Sequence, residues 1–228
     1  MSRMVDVVIA SSFTLMVSIP GNHLDFALAA ENAGADAIKT HINLYHHASG
    51  IHFKNWDEEK GSLIPIIANC NIPFGIVPGT GDILTMNEMI EIKNAGFDFW
   101  DLYFHHIPDW LFEFPDMGRM AAIDGSYDEK RISSISSYGI QVLESSIFPK
   151  DGYGLSLTDS DIEEVSKVAG AAGIPVLIST QRAICPEQVY DLKSAGIAGI
   201  IIGAVVTGNT VDSIAETTRA FRTAIDRM

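Results

Sequence analysis

"AGIAGIIIGAVVTG" (residues 195–208) joins the end of one helix pattern to a short apolar run and then to residues with almost no side chain. Its first half belongs to a recurring phrase, in which a small residue or tyrosine and then a glycine precede a β-branched or aromatic run. A glycine just past a helix supplies a left-handed cap, and a continuous apolar run suits a strand buried on both faces. The sequence therefore predicts a helix-then-strand unit that repeats. The phrase occurs at 33–34, 95–96, 138–139, 172–173 and 195–196.

Helical patterns stand between the apolar runs, so strands and helices alternate along the chain. Eight such alternations in 228 residues come close to the roughly 250 residues typical of a (β/α)8 barrel. We predict an α/β fold, a (β/α)8 TIM barrel, as a single domain over 1–228; a doubly wound open sheet is the alternative, but no GxGxxG follows an early strand. The strands are expected near 15–19, 36–42, 73–77, 97–104, 119–124, 140–146, 174–179 and 197–202. Expected helix starts are the cap residues Thr85, Ser126, Thr158 and Thr210, with Pro186 in a first turn.

Composition narrows the class of protein. With 47% hydrophobic and 19% charged residues, the chain has material for one large core. A formal net charge of −14 opposes binding to nucleic acid or to an anionic membrane, and no apolar run reaches the roughly 18 residues of a membrane span. Only Cys70 and Cys185 are present, without a CxxC pattern, so we expect a reducing compartment, the cytoplasm.

Three irregular segments, 43–57, 105–118 and 147–158, each follow a predicted strand. In a barrel these are the βα loops, which meet at the face where catalytic groups collect. Dense aromatic residues in the second segment, around Trp110 and Phe112, suit a lid, a subunit interface or core beneath a loop. A homo-oligomer is therefore expected.

The loops after strands seven and eight of such a barrel commonly hold a phosphate, because unpaired backbone N–H groups and a short helix favour an anion. Small residues at the end of strand eight would let the phosphate approach the backbone; the alternative is a glycine that only packs the strand end. The predicted phosphate-binding residues are Ser179, Thr180, Gln181, Arg182, Gly203 and Ala204.

The segment "IPVLISTQRAICPEQVYDLKSAGIAGIIIGAVVT" (174–207) resembles the ribulose-phosphate-binding barrel superfamily, most closely the N-acetylmannosamine-6-phosphate 2-epimerases. The shared features are strand seven, an arginine, a Pro-Glu-Gln helix start, and a strand eight that closes on Gly and a small residue. One departure is Ser179, where those families usually have glycine after strand seven. The resemblance implies a phosphate-binding barrel that uses a lysine and a glutamate.

Charged residues near the strand ends supply candidate chemistry. Lys39 lies in an apolar run, where an ammonium group needs a partner or a function. Glu144, near the end of strand six, could exchange protons with it at a carbon beside a carbonyl, while Asp101 or His41 aligns the substrate. A purely structural ion pair is the alternative, and Asp124 is a further acid at a strand end.

These residues predict an isomerase or epimerase acting on a small phosphorylated sugar or sugar acid. Two alternatives stay open: an aldolase or synthase in which Lys39 forms a Schiff base, and a non-catalytic ligand-binding barrel.

No cofactor is expected. Histidines crowd two segments, but no HExxH pattern is present, so a bound divalent metal is the less favoured alternative. FMN, which related barrels hold at the phosphate site, is also less favoured. A helix dipole beside Cys185 would lower the pKa of its thiol, which offers a further nucleophile. The histidines are His41, His46, His47, His52, His105 and His106.

Overall fold

A computed structural model describes residues 2–80 and 83–228, and its sheet confirms the predicted (β/α)8 architecture. Eight parallel strands close into a barrel in chain order. Each lies within two residues of the position that the apolar runs predict. The barrel strands are β1 (Thr14–Ser18), β2 (Ala37–His41), β5 (Phe74–Val77), β6 (Phe99–Tyr103), β7 (Gly118–Ile123), β8 (Val142–Ser145), β9 (Val176–Ser179) and β10 (Gly199–Ile202).

Helices fill the connections between the barrel strands. All five glycines of the recurring phrase have positive φ, from 65° to 109°, so they end the preceding segment as the sequence predicts. The helices are α1 (Arg3–Ala10), α2 (Leu24–Asn32), α3 (Trp56–Asn69), α4 (Met86–Ala95), α5 (Glu129–Ser134), α6 (Asp159–Ala172), α7 (Val189–Ser194), α8 (Ala204–Thr207) and α9 (Val211–Ile225).

The predicted helix caps are confirmed at Thr85, Thr158 and Thr210, each of which accepts a hydrogen bond from the third helical N–H. Pro186 begins a short 3-10 turn, as predicted. The prediction for Ser126 is wrong. Its hydroxyl instead donates to Asp124 at 2.5 Å, and α5 is capped two residues later by Asp128, whose side chain accepts from Arg131 N–H at 2.8 Å.

The inside of the barrel holds a small apolar core below the loops. Inward residues such as Met16, Phe99 and Leu177 pack there, and the first helix α1 closes the bottom with Met4 and Val5. This packing explains why the N-terminal segment is apolar. A second and larger core lies between the outer face of the strands and the surrounding helices.

Phe99 fills the barrel because strand β5 carries glycine opposite it. A Cβ on Gly75 would lie 2.2 Å from the Phe99 ring, so no other residue fits there.

Two of the βα loops contain structure that the sequence did not predict. A two-stranded antiparallel hairpin, β3 (Leu44–His46) with β4 (Ile51–Phe53), lies within 43–57. In 105–118, Leu111 and Phe114 are buried in the large core and Trp110 and Phe112 pack against it. Leu111 and Phe114 are therefore core beneath a loop, whereas Trp110 and Phe112 are only partly buried. Among the residues described, no helix combines the length and apolar character that crossing a membrane requires.

Candidate active site

Three ionisable side chains meet at the carboxyl end of the barrel. Lys39 of β2 donates from Nζ to Oδ2 of Asp101 on β6 at 2.6 Å, and the same ammonium group contacts Oε2 of Glu144 on β8. These are the second, fourth and sixth barrel strands, and in this fold alternate strands contribute side chains to one interior layer. All three residues are buried, with 2–5% of their surface exposed. The layer of side chains directly above the small apolar core inside the barrel, called the apolar plug below, is therefore ionic.

Lys39 is held in its charged form. Burial disfavours the ammonium group, but the adjacent Asp101 and Glu144 outweigh that effect and raise the pKa of Lys39 above its usual value. A protonated amine is a poor nucleophile. In this arrangement, Lys39 is suited to stabilising negative charge rather than to attacking a carbonyl carbon.

The two carboxyl groups experience opposite environments although they share one lysine. For Asp101, burial together with the neighbouring Glu144 charge raises the pKa well above its usual value. Its Oδ1 is buried without a hydrogen-bond partner among the described residues, which also disfavours the charged form. Burial disfavours the Glu144 carboxylate as well, but Lys39 and hydrogen bonds outweigh it and lower the pKa to about 2. The two carboxyl groups therefore titrate as one coupled pair, in which Asp101 binds a proton more readily than Glu144.

Two serines support Glu144. Ser146 donates to Oε1 of Glu144 at 3.2 Å, and the hydroxyls of Ser146 and Ser179 lie 2.8 Å apart. Ser179 also donates to the carbonyl oxygen of Ser145 at 3.2 Å. These contacts link the ionised carboxylate to the end of β9, where the sequence predicts a phosphate site. Ser146 was not among the predicted residues, although it lies two positions after Glu144 and so shares its inward face.

His41 lies two residues past Lys39 and lines the same cavity, as strand alternation predicts. Burial, with His46 and Lys39 nearby, lowers its pKa well below the usual value, so the imidazole is uncharged at neutral pH. The centroids of the His41 and His46 rings lie 4.3 Å apart. His41 is therefore a neutral wall of the site.

A cavity of about 600 Å³ opens above this layer at the carboxyl ends of the strands. Asp124 lies on its wall, where its Oδ1 accepts from the backbone N–H of Ser126 at 2.9 Å. Its pKa is lowered even though partial burial opposes this, because the hydrogen bonds from Ser126 dominate. Asp124 is therefore an ionised wall residue whose contacts stabilise a turn. The predicted site residues that line this cavity are Lys39, His41, Asp101, Glu144, Ser179, Thr180, Gln181 and Gly203.

Neither packing nor backbone strain requires a glycine at position 203. Its φ is −140°, and an added Cβ would come no closer than 3.5 Å to Ser18. Gly199, at the start of the same strand, differs because a Cβ there would lie 2.5 Å from the carbonyl oxygen of Thr14. Gly203 lines the cavity, so the absence of a side chain at this position leaves room for a ligand there.

Backbone groups beside Gly203 form the start of α8. Val206 and Thr207 donate their N–H groups to the carbonyl of Gly203 at 2.9 Å each. Within residues 2–80 and 83–228, no acceptor receives the N–H of Ala204 or Val205. Val205 lines the cavity. This is the kind of backbone that an anion would satisfy.

Three predicted phosphate-binding side chains already have internal partners. Thr180 Oγ1 accepts from Gly203 N–H at 2.9 Å. Gln181 accepts from Phe148 N–H at 2.9 Å and donates to the carbonyl of Ser146 at 3.1 Å. Arg182 donates to the carbonyl of Gly152 at 2.7 Å and forms an ion pair with Asp161 at 3.3 Å. The Arg182 guanidinium therefore stabilises the loop after β8. Because these partners already engage it, the structure gives no support to its predicted contact with phosphate.

Two further predictions concern the Cys185 thiol as a nucleophile and the histidines as metal ligands. Cys185 is exposed at the start of a 3-10 turn. Its pKa is raised, because partial burial and the neighbouring Glu187 oppose the thiolate, so the prediction of a lowered pKa is wrong. In the part of the chain that the structure describes, no group of three His, Cys, Asp or Glu side chains is arranged to hold a metal ion.

Comparison with known proteins shows the fold. No protein-family profile matches the chain, and no curated protein sequence matches it. Among solved structures, thiamine phosphate pyrophosphorylase from Pyrococcus furiosus has a TM-score of 0.68 and 15% identity, covering 96% of this chain and 98% of that one. Tryptophan synthase from M. tuberculosis has a TM-score of 0.68 and 12% identity, covering 99% of both chains.

Phosphoribosyl anthranilate isomerase from Thermus thermophilus has a TM-score of 0.67 and 15% identity, covering 94% of this chain and 99% of that one. All three names are those of enzymes. At these identities the likeness shows the (β/α)8 barrel, while the closer resemblance to N-acetylmannosamine-6-phosphate 2-epimerases stays a prediction.

Proposed function

We propose that this protein is an isomerase or epimerase that transfers protons on a small phosphorylated sugar or sugar acid. The observation that carries the proposal is the Lys39 ammonium group shared by Asp101 and Glu144 at the base of the cavity. Two acids with opposed pKa shifts around one fixed cation provide an acid, a base and a site for negative charge. The named enzymes of the same fold, two of whose names include a phosphorylated compound, support the proposal.

In this scheme Glu144 removes a proton from the carbon beside the substrate carbonyl. Asp101 gives its proton to the carbonyl oxygen, and the Lys39 ammonium stabilises the negative charge that develops there. A substrate oxygen that contacts Lys39 draws the ammonium group away from Glu144, which raises the basicity of that carboxylate. Isomerisation is completed when Glu144 gives its proton to the neighbouring carbon, the former carbonyl carbon, and the hydroxyl on the carbon that was deprotonated returns a proton to Asp101. Epimerisation is completed when solvent water protonates the original carbon from the opposite face, the enol returns its proton to Asp101, and Glu144 gives its proton to the hydroxide that is left.

The phosphate is proposed to bind at the carboxyl-terminal edge of the barrel, where the neighbouring strands β9 and β10 end. Ser179, the space at Gly203 and the N–H groups of Ala204 and Val205 supply its contacts. Thr180 and Gln181 shape this edge through their internal hydrogen bonds. Anchoring the phosphate away from the reacting carbon would fix that carbon against the acids.

Deuterium incorporation tests this function. A panel of phosphorylated aldoses, ketoses and sugar acids is incubated with the protein in deuterated water, and mass spectrometry follows exchange of carbon-bound hydrogen. Glu144→Gln serves as the disabled variant and Tyr190→Phe, at an exposed ring outside the cavity lining, as the matched control. The proposal predicts exchange in the wild type and in Tyr190→Phe, and none in Glu144→Gln.

Schiff-base chemistry is the second candidate, because Lys39 lies in the cavity. Borohydride added with the same panel would trap a covalent adduct on Lys39 if an aldolase or synthase mechanism operates. An adduct without deuterium exchange contradicts the proton-transfer scheme. Absence of both exchange and adduct across the panel favours a non-catalytic ligand-binding barrel.

A further inference from the structure

A second recess lies on the outside of the barrel, separate from the cavity. It is an open groove of about 820 Å³ between the last helix α9 and the segment 186–190, which leads into α7. Among the described residues, none that lines this groove also lines the cavity at the carboxyl ends of the strands. The groove is therefore a surface feature that the proposed function does not use.

The outward face of α9 forms one side of the groove. The inner face of this helix packs Phe221 into the large core, whereas Ala220 and Thr223 line the groove and are exposed. Across the groove stands Tyr190, whose ring is 67% exposed, the largest exposed fraction among the large hydrophobic side chains that the structure describes. A helix face and an aromatic ring thus remain uncovered side by side.

The arginines of the groove lack the internal partners that the other arginines have. Within residues 2–80 and 83–228, Arg219 and Arg227 contact neither a carboxylate nor an aromatic ring, and both line the groove. Glu187 and Glu216 belong to the same lining and form no ion pair within that part of the chain. The five remaining arginines each contact a carboxylate or a ring: Arg3, Arg119, Arg131, Arg182 and Arg222.

The signs of these charges favour a second copy of the chain as the occupant of the groove. The side chains that line it carry two negative and two positive charges, whereas the whole chain has a formal net charge of −14. Two such acidic molecules repel each other, so they approach at the least cost where the local charge is balanced. A strongly acidic or strongly basic partner would instead place like charges opposite each other in this groove.

The spacing of the charges along α9 fits a twofold arrangement. Glu216 and Arg227 lie eleven positions apart, which is about three helical turns, so both lie on the outward face, toward opposite ends of the helix. In an antiparallel pairing centred between Ala220 and Thr223, Glu216 of one copy lies opposite Arg227 of the other. Twofold symmetry forms this contact twice. The small side chains at the centre allow the two helices to approach.

We propose that the chain forms a homodimer in which the outward faces of α9 pack antiparallel across this groove, with Glu216 of each copy paired with Arg227 of the other. The contact covers the exposed ring of Tyr190 and provides partners for arginines that otherwise have none among the described residues. The dimer is independent of the proposed reaction, since the residues that line the cavity lie outside the groove.

Charge reversal in the full chain tests the dimer. Sedimentation velocity measures the monomer–dimer Kd at about 50 mM and about 500 mM NaCl, where screening differs strongly. The variants are Glu216→Arg, Arg227→Glu and the double substitution. Glu163→Arg on α6 and Lys130→Glu on α5 are matched controls, because they make the same changes of charge at exposed positions outside the groove. Thermal melting confirms that each variant is folded.

We expect the wild type and both controls to dimerise with similar Kd. Each single reversal should weaken dimerisation at least about tenfold at low salt, because it places like charges opposite each other twice, and the double substitution should return to within about threefold of the wild type. The effect of each single reversal should shrink at high salt.

A wild type that stays monomeric at about 1 mM overturns the dimer and leaves this face to a different partner. A dimer that neither single reversal weakens, that a control weakens equally, or that the double substitution does not restore overturns the assignment to this groove. All of these results leave the proposed function standing, because that function depends on the cavity.

Discussion

Lys39 Nζ lies 2.6 Å from Asp101 Oδ2, so a lysine of β2 contacts a carboxyl group of β6 across the intervening strand β5. Side chains two strands apart can meet in this way because the sheet curves strongly inside a barrel. Glu144 approaches the same ammonium group from β8, and the three side chains form one electrostatic unit that separates the apolar plug from the cavity. The first consequences concern the stability of that unit.

Replacing the shared cation destabilises the protein in a pH-dependent way. In Lys39→Met the two buried carboxyl groups lose their partner, so both folded-state pKa values rise above those of the unfolded chain. An acid with a raised folded pKa loses stability as pH rises from the unfolded value through the folded one. We expect a loss of about 3 kcal/mol or more at pH 8 and a smaller loss at pH 5, measured by urea unfolding. A deficit that is the same at both pH values would contradict this account.

The pH dependence of the wild type contains two opposed contributions. Glu144, whose pKa is lowered to about 2, contributes stability above its unfolded pKa of about 4.3 that is lost as pH falls toward 2. Asp101, whose pKa is raised, loses stability as pH rises above its unfolded value of about 3.9. Asp101→Asn removes the second contribution only. The stability of this variant relative to the wild type should therefore improve as pH rises from 4 to 8, and a decline would count against a proton on Asp101.

Adding a methyl group at Gly203 separates ligand binding from folding. Because its Cβ would meet only Ser18 at 3.5 Å, Gly203→Ala should leave the melting temperature unchanged or slightly higher, as the unfolded chain loses freedom. Binding of inorganic phosphate should fall at least about tenfold, which corresponds to about 1.4 kcal/mol, since the methyl group occupies the anion's approach.

Gly199→Ala on the same strand is the matched contrast. Its Cβ would lie 2.5 Å from the carbonyl of Thr14, so we expect a clear drop in melting temperature from overpacking. Unchanged phosphate affinity in Gly203→Ala would place the anion elsewhere.

The neutral state of His46 can be observed directly. Since burial lowers its pKa to about 4, its ring resonances in NMR spectra should not shift between pH 8 and pH 6. A histidine with a lowered folded pKa makes stability fall as pH drops below about 6.5, because the unfolded chain binds more protons. His46→Asn should therefore flatten the decline in stability between pH 6.5 and pH 4, whereas the exposed control His52→Asn should not. Titration of His46 near pH 6.5 would contradict its role as an uncharged ring.

Local patterns were enough to predict the barrel. Five of the eight barrel strands (β2, β6, β8, β9 and β10) follow a glycine that ends a helical pattern, and all eight are short, mainly apolar runs, so both signals lie close to the strand itself. The buried position of Lys39 was also predictable, because an ammonium group in such a run needs a partner. The pairing of Lys39 with Asp101 was not, since 62 residues separate them and only the curved sheet brings side chains two strands apart into contact.

Several other features of the loops and the site were not predicted from the sequence, each for a different physical reason. Strand alternation places Tyr103 two residues past Asp101 and Ser146 two past Glu144, so both could have been assigned to the cavity from the sequence. The hairpin of β3 and β4 gives little signal, because each strand is three residues long. Arg182 looks like a phosphate ligand in sequence, but its guanidinium is held by Gly152 and Asp161, partners that only the folded loop supplies.

The division of roles between Asp101 and Glu144 is tested most directly by their two isosteric amides. The free energy of unfolding at pH 7 is measured for Asp101→Asn, Glu144→Gln and the wild type. Because Asp101 is the carboxyl group that binds a proton more readily, Asp101→Asn should cost about 1 kcal/mol or less, whereas Glu144→Gln removes the carboxylate that balances Lys39 and should cost about 2 kcal/mol or more. Equal costs, or a larger cost for Asp101→Asn, would show that the proton is not on Asp101 and would contradict the assignment of acid and base.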